Sequence, residues 1–369
     1  MRYCVIGAGS GGRAFAVYLA SKGGLVNLYN RSFSRIEYIK KKMRIKAKGA
    51  LKGSFDLEKV TQDLETAVKD VDVIMIAIPA FAHKEIAKKI APYLKTDQII
   101  ILNPGRTFGT IEFKQIIDEK RKHLNVYIAE TQTLLFTARA LKKHKVRIFK
   151  IKDDINFCSY PEENNFFIKD TLNDIFPQFQ PVDNYLQLTL NNIGMLLHPT
   201  ITLLNSGSIE NGLDFKYYKE GASKRICQIL ETIQLEINQI FRKLGVRRFD
   251  FCKWANQVYG VSGKSIFESI QKIDSYEEIN SPYKLETRYF TEDVPTGLVP
   301  LASLGRFLNV NTPTIDSIIH LSSVLCGIDF WEEGRTIENL NINRLLEQKI
   351  DVEESMANVF TERTEYLQI

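Results

Sequence analysis

This chain lacks the spaced cysteines that a disulfide framework or a structural zinc site requires. Its 369 residues include only five, Cys4, Cys158, Cys227, Cys252 and Cys326, with no Cys-x-x-Cys pair and no neighbouring histidine cluster. An odd, scattered set reads as free, mostly buried thiols in a reducing compartment. Long hydrophobic runs are also missing. The longest, residues 71–82, is broken by Asp72 and Pro79 and is too short for a bilayer. The apolar start at residues 1–6 enters a glycine turn too early for a secretory signal. These absences together point to the cytoplasm. A dominant charge is lacking too. The 49 Lys+Arg against 44 Asp+Glu leave +5, less than a nucleic-acid binder usually concentrates on one face. That mild positive field suits anionic small molecules and phosphate-bearing cofactors. The one cationic run, Lys40-Lys41-Lys42-Met43-Arg44, carries no interleaved aromatics and reads as a solvated helix end.

What the sequence does have is a change of period. Up to about residue 180, short β-branched runs at 2–6, 25–29, 73–78, 98–102 and 126–129 alternate with helical patterns at 13–21, 33–42, 61–69, 81–93 and 110–123. Such alternation builds βαβ units and a Rossmann-like, doubly wound parallel sheet, an α/β fold. Residues 146–152 and 155–160 are two further strand candidates at its edge. From Tyr185 onward helical periodicity takes over. Ile226, Leu230, Ile233, Ile237, Ile240 and Leu244 recur every three or four residues in a helix over 222–244, with Gly245 as a stop. Another helix is expected from Thr312-Pro313, carrying Ile315, Ile318, Ile319, Ser322 and Leu325. The expected organisation is therefore a dinucleotide-binding domain at 1–184 and a mostly helical, all-α domain at 185–369.

The strongest motif is Gly7-Ala8-Gly9-Ser10-Gly11-Gly12, which follows the first strand and opens the first helix. Gly7 allows the tight turn, Gly9 admits a pyrophosphate against the backbone, and Gly12 lets helix and strand pack closely. Ser10 and Gly11 sit between them at the helix N-terminus, where unpaired N–H groups attract phosphate. The alternative is a tight glycine turn with no ligand. At the end of the second strand an acid would select NAD. The chain instead has Asn30-Arg31-Ser32 with Arg35 nearby, which favours NADP through pairing of Arg31 with a 2′-phosphate, NAD remaining the other option. Two later strand ends, at Pro79 and at Asn103-Pro104-Gly105-Arg106, fall where ligands of open α/β sheets bind. Ordinary turn chemistry accounts for these prolines equally well.

Only five histidines are present: His83, His123, His144, His198 and His320. His123 and His144 lie in charged stretches, His83 is a packing candidate, and His320 falls on the apolar face of a late helix. His198 stands beside Pro199, expected at a break in regular structure from which a side chain reaches a cleft. In Arg288-Tyr289-Phe290-Thr291-Glu292-Asp293-Val294-Pro295, Arg288 and Asp293 are five apart, and converge only if the segment is irregular. The bland readings are a turn or N-cap role for Asp293 and an ion pair of Arg288 with Glu286 or Glu292.

Taken together, these segments resemble the octopine/nopaline (opine) dehydrogenase family. The resemblance is carried by the glycine fingerprint, Leu102-Asn103-Pro104-Gly105-Arg106-Thr107, Ala129-Glu130-Thr131, Asn192-Ile193-Gly194-Met195 with His198-Pro199, Leu204-Asn205, Ile209-Glu210, and the run from Arg288 to Leu298. It implies reductive condensation of an amino-acid amine with a 2-oxo acid, often pyruvate, by NAD(P)H. It also implies His198 and Asp293 in proton transfer and Arg288 on the oxo-acid carboxylate. By position alone, Asn103 at its strand end is a candidate to line the nicotinamide or substrate, and Glu130, after the last main strand, to face the substrate amine. The chemistry agrees: a group titrating near neutral pH moves the protons, a carboxylate orients it, and a guanidinium fork holds a carboxylate. The chain departs from the family pattern after Thr131. Gln132-Thr133-Leu134-Leu135-Phe136 replaces a Pro-Trp and a Cys, so the amine substrate stays open. The expected partners are small molecules, with neither nucleic acid nor membrane, and a homo-oligomer remains an option. Competing readings are a glycerol-3-phosphate or ketopantoate reductase relative, which would use a catalytic Lys such as Lys219, Lys224 or Lys264, and a non-catalytic dinucleotide sensor.

Overall fold

The computed structural model describes residues 1–347; the remaining 22 residues of the expected second domain lie outside the described residues. The chain divides into two compact units, Met1–Leu190 and Asn191–Ile369.

In the first unit eight strands form one sheet in the order β12-β11-β8-β7-β6-β1-β2-β5. Its centre is β1 (Arg2–Ile6), β2 (Leu25–Tyr29), β6 (Val73–Ile76), β7 (Ile99–Leu102) and β8 (Tyr127–Thr131). All neighbours among these five are parallel. Their residues are apolar without alternation because both faces are covered. Val5, Val73, Met75, Ile99 and Ile101 join the core on one face, while Ile6, Ile74, Ile76, Ile100 and Leu102 join the core on the other. Short β5 (Lys59–Thr61) extends one edge, and β11 (Ile155–Ser159) with β12 (Phe179–Pro181) the other. β11 is antiparallel to β8. The helices expected between strands are present as α1 (Ser10–Ser21), α2 (Phe33–Lys42), α3 (Leu64–Val68), α4 (His83–Ile90) and α5 (Gly109–Lys120); α6 (Asn165–Leu172) and, closing the unit, α7 (Tyr185–Thr189) are additional. The expected boundary after residue 184 and the observed one after Leu190 thus differ by α7.

A second sheet, β4-β3-β10-β9, was not foreseen. It pairs β3 (Arg44–Gly49), β4 (Gly53–Asp56), β9 (Phe136–Leu141) and β10 (Lys145–Ile151). The run at 146–152 therefore belongs to this sheet, not to the edge of the main one. Its inner residues Ile45, Ala47, Val146 and Ile148 pack with Phe15 and Phe136 into the core below β1. Its outer face exposes Arg44, Lys46, Lys48, Arg139 and Arg147. The Lys40–Lys42 end of α2 is exposed, as expected of a solvated helix end.

The described part of the second unit holds α8 (Ile193–Leu204), α9 (Ser206–Glu210), α10 (Lys224–Lys243), α11 (Phe251–Tyr259), α12 (Ile266–Lys272), α13 (Arg288–Thr291), α14 (Val299–Phe307), α15 (Pro313–Cys326) and α16 (Phe330–Glu333). The apolar stripe of α10 is buried at Leu230, Ile233, Ile237 and Ile240, and Gly245 ends it with φ +61°. Glu236 lies buried within the same stripe. Its carboxylate accepts the N–H groups of Thr314 (2.9 Å) and Ile315 (3.0 Å), capping α15. His320 is exposed rather than on the buried face of α15. Of the expected positions, Ile315, Ile318, Ile319 and Ser322 are buried but Leu325, near the end of the helix, is exposed, and His320 follows Ile319 by about 100° around the helix.

Candidate active site

The glycine loop is built for close approach. Gly7 has φ +112°, and a Cβ there would lie 2.5 Å from the Ala77 carbonyl oxygen. A Cβ on Gly12 would overlap the Gly7 carbonyl, so α1 rests directly on the turn. A Cβ on Gly9 would meet nothing within 4 Å, which leaves that face of the loop open. The first helical bond of α1 runs from the Arg13 N–H to the Gly9 carbonyl at 3.0 Å, so the N–H groups of Ser10, Gly11 and Gly12 have no acceptor inside the helix. Gly11 faces Leu134. The Ser10 hydroxyl accepts the Ala140 N–H at 2.9 Å, keeping its own proton to donate. These features fit a dinucleotide pyrophosphate.

Asn30 serves the loop from behind: its Oδ1 accepts the Ala8 N–H at 2.9 Å and its Nδ2 donates to the Ser32 carbonyl at 3.0 Å. Arg31, Ser32 and Arg35 are exposed beyond β2. A residue the sequence reading missed, Arg13, is buried and donates to five carbonyls, those of Ala8, Leu141, Lys143, Lys145 and Arg35, at 2.9–3.2 Å. None of those bonds goes to a carboxylate, and burial followed by Arg35 lowers its affinity for its proton.

At the later strand ends, Pro79 is half-buried and opens a short 3-10 turn. Asn103 is buried; its Nδ2 donates to the Ile101 carbonyl at 2.8 Å, and its Oδ1 has no hydrogen-bond partner. Glu130 is buried, and its Oε2 accepts the Thr110 N–H (2.8 Å), the Thr110 hydroxyl (2.8 Å) and the Tyr185 hydroxyl (3.2 Å). Gly105 packs so tightly on Glu130 that a Cβ would overlap its side chain. This geometry gives Glu130 the job of capping α5, where the sequence reading had placed it towards the substrate amine.

In the second unit, Asn192 caps α8 by accepting the Gly194 N–H at 3.1 Å. His198 lies mid-helix, with Pro199 inside the same continuous helix; the expected break in regular structure is absent. Its Nδ1 lies 2.8 Å from Asp293 Oδ2 and its Nε2 2.9 Å from the Tyr218 hydroxyl. The Tyr289 ring stacks on the imidazole at 4.4 Å between centroids, and the Tyr217 hydroxyl donates to the His198 carbonyl at 2.9 Å. His198 keeps 19% of its side chain exposed, against 2% for Asp293. Asp293 reaches the ring because the chain after α13 is irregular. It leads into a π-helical turn at Val294–Leu298, a local widening of the helix often found at functional sites. That turn lies against α8, since a Cβ on Gly297 would stand 2.5 Å from Met195 Cβ.

Arg288 does not join the pair. Its Nε donates to Glu292 at 2.6 Å, and the same carboxylate receives Nη2 in an ion pair. The guanidinium stays 59% exposed and Glu292 is buried. Nη1 and one hydrogen of Nη2 remain for another acceptor. Burial raises the phenol pKa values of Tyr217 and Tyr218 well above the ordinary range, and that of Tyr289 to a lesser degree, with Asp293 adding to each. Tyr217 and Tyr218 were not singled out from the sequence; the available signal was an adjacent Tyr pair in an otherwise polar stretch. Among the described residues no group of His, Cys, Asp and Glu is arranged to hold a metal, and no helix is long and apolar enough to cross a membrane.

Comparison with known proteins agrees on both units. Residues 2–128 match the family model for the N-terminus of NAD-dependent glycerol-3-phosphate dehydrogenase. Residues 181–326 match the alpha-helical domain of NAD/NADP octopine/nopaline dehydrogenase. An opine dehydrogenase of Arthrobacter sp. (strain 1C) is 40% identical over 93% of this chain and 96% of its own. A vitopine synthase of Allorhizobium ampelinum is 23% identical over 76% and 77%. Octopine dehydrogenase solved with NADH and L-arginine shares the fold at TM-score 0.78 and 18% identity, covering 93% of this chain and 96% of that one. Yersinopine dehydrogenase with NADP+ does so at 0.71 and 14%, covering 95% and 99%. A dinucleotide loop in one unit and a carboxylate-held imidazole in the other define a nicotinamide-dependent oxidoreductase. The chain belongs to the opine dehydrogenase family. Its reaction is the NAD(P)H-dependent reductive condensation of an amino-acid amine with a 2-oxo acid, an oxidoreduction at a CH–NH group.

Proposed function

We propose that pyruvate is the 2-oxo acid, that NADPH is the preferred cofactor, and that His198, Asp293 and Arg288 carry the chemistry on the substrates. The observation that carries this reading is the His198–Asp293 bond at 2.8 Å. Asp293 accepts the Nδ1 proton, which fixes the tautomer and presents Nε2 as the base. His198 takes the proton that frees the substrate amine for attack on the carbonyl, and as a cation it returns a proton to the oxygen that leaves as water. Arg288, with donors left over from Glu292, holds the oxo-acid carboxylate. The nicotinamide cofactor, when bound, supplies the hydride that reduces the imine. The loop Gly7–Gly12 with Ser10 holds its pyrophosphate, and Pro79 borders the same end of the sheet.

Support for NADPH is the exposed pair Arg31 and Arg35 beyond β2 with no acid at that strand end. Asn30 braces the loop rather than offering its side chain to ribose. Asn103, with a buried Oδ1 lacking a partner, is the polar group of the first unit assigned to the substrate. Free, mostly buried cysteines fit the reducing cytoplasm.

The test is cofactor oxidation followed by absorbance, with pyruvate and a panel of L-amino acids, in NADPH and NADH. The reading requires turnover only when amine and oxo acid are both present. Oxidation by pyruvate alone, with no added amine, overturns the assignment of pyruvate as the condensation partner. Turnover with another 2-oxo acid but not with pyruvate likewise overturns it.

A further inference from the structure

Both ring nitrogens of His198 are occupied. Nδ1 is held by Asp293 and Nε2 by the Tyr218 hydroxyl, at 2.8 and 2.9 Å. Neither ring is free to swing away. The imidazole is stacked on Tyr289. Tyr218, 6% exposed, is stacked on Tyr276 at 4.0 Å and set edge-on to Tyr217 at 4.9 Å. Tyr217 is itself anchored, donating to the His198 carbonyl and bonded to the Thr202 hydroxyl at 2.8 Å. A base whose lone pair is bonded by a packed, buried neighbour has a route for its proton through that neighbour.

We infer that Tyr218 is the group through which His198 exchanges protons, so that the acid–base unit of the reaction is Asp293–His198–Tyr218. This deepens the role given to His198 above and rests on it. A phenol hydroxyl carries one proton and two lone pairs, so it can accept from one side while donating on the other. With neutral His198, Nδ1–H donates to Asp293 and the Tyr218 O–H donates to Nε2. With cationic His198, Nε2–H donates to Tyr218 and the Tyr218 proton turns to the substrate. In the dehydration step the carbinolamine C–O bond breaks. The departing oxygen takes the Tyr218 proton and leaves as water, Tyr218 takes the Nε2 proton, and His198 ends neutral beside an iminium carbon. One proton is consumed and one cation is formed, so the charge balances. Burial disfavours the phenolate, so the two transfers occur together and Tyr218 never rests ionised. The charged and titratable groups around it are Asp293, Tyr217, Tyr276 and Tyr289.

The experiment is Tyr218→Phe, which removes the hydroxyl and keeps the stacked ring. Turnover should fall at least about a hundredfold, the lower end of the range for acid–base groups, with KM for the oxo acid and for NADPH within about threefold. The solvent deuterium effect on kcat should change, since one hop is gone. Independently of activity, the 15N resonance of His198 Nε2 should shift between the two proteins. Turnover within about threefold of the unaltered chain overturns the inference, and so does an unchanged Nε2 resonance. Incorporation of 2,3-difluorotyrosine at position 218 covers a Phe variant that fails to fold. It leaves the ring in place, makes the phenol more acidic, and should move the alkaline limb of the kcat profile to lower pH; an unmoved limb overturns the inference. If the unaltered chain turns over no amine with any oxo acid, the functional reading itself falls.

Discussion

At the scale of single residues, the molecule uses buried polar groups as fixed instruments. His198 has its Nδ1 on a carboxylate that is 2% exposed, so its orientation is set before substrate arrives. His198→Ala should lower kcat by at least about a hundredfold, with the cofactor dissociation constant, measured by fluorescence, changing little. Arg288 is exposed and shares its charge with Glu292, so Arg288→Ala should mainly raise KM for the oxo acid, read from initial rates at fixed amine. Lys152 gives a prediction about stability. Its ammonium donates to the Thr133 hydroxyl at 2.9 Å, and burial, then Lys150, push its pKa from 10.5 down to about 8. The unfolded chain therefore holds more protons than the folded one between those two values, so this group's contribution to stability rises with pH across that window. Below pH 8 the penalty is fully present. Lys152→Met should accordingly stabilise the protein by about 1–2 kcal/mol at pH 7, and denaturant titrations should show that gain shrinking from pH 8 to 10.5.

At the scale of elements, strands and helices deliver residues that sequence spacing keeps apart. Arg288 and Asp293 are five residues apart and cannot share a face of a regular helix. They do not converge: ahead of the π turn at Val294–Leu298, Asp293 goes to His198 while Arg288 turns to Glu292 at i+4. Gly297 is what lets that turn lie against Met195, one turn of α8 before His198. Gly297→Val should separate the two elements and lengthen the His198–Asp293 bond. The expected result is a loss of about 1–3 kcal/mol in stability, as for overpacking, with kcat falling more than KM rises. Unaltered kinetics in a folded Gly297→Val protein would count against the role given to this contact. The second sheet shows why some elements escaped the sequence. In Arg44–Gly49 the residues Arg44, Lys46 and Lys48 face solvent and only Ile45 and Ala47 face the core. Lys and Ala are poor strand formers, so the segment merges with the charged end of α2. The break expected at Pro199 failed for a complementary reason. A proline one helical turn or more past the N-terminus costs one hydrogen bond and a clash, yet α8 is packed on nearly every side and stays continuous.

At the scale of the whole molecule, two compact units divide the labour. The first holds the glycine loop within its own sheet and helices, and Arg13 ties that loop to the 141–145 hairpin and to α2. Residues 1–190 expressed alone should fold and bind NADPH, because the loop's hydrogen bonds all close inside this unit. Saturating cofactor at about a hundred times its dissociation constant should add roughly 2.7 kcal/mol to the stability of the intact protein, seen as a rise in Tm. A smaller rise with NADH than with NADPH at equal concentration would match the cofactor preference, and the reverse order would contradict it.

The sequence by itself determined the class of fold, the dinucleotide loop and the family. Each is written locally, in the period-2 and period-3.6 patterns and in glycines whose missing Cβ atoms the backbone requires. It also determined that His198, Arg288 and Asp293 were the residues to examine. Only the tertiary structure decided what these side chains touch. Asp293 meets His198 across 95 positions, Tyr218 reaches Nε2, and Glu130 is spent on the start of α5. Such contacts depend on how whole helices pack, and helix packing is set by summed burial over many residues, not by the spacing of any few.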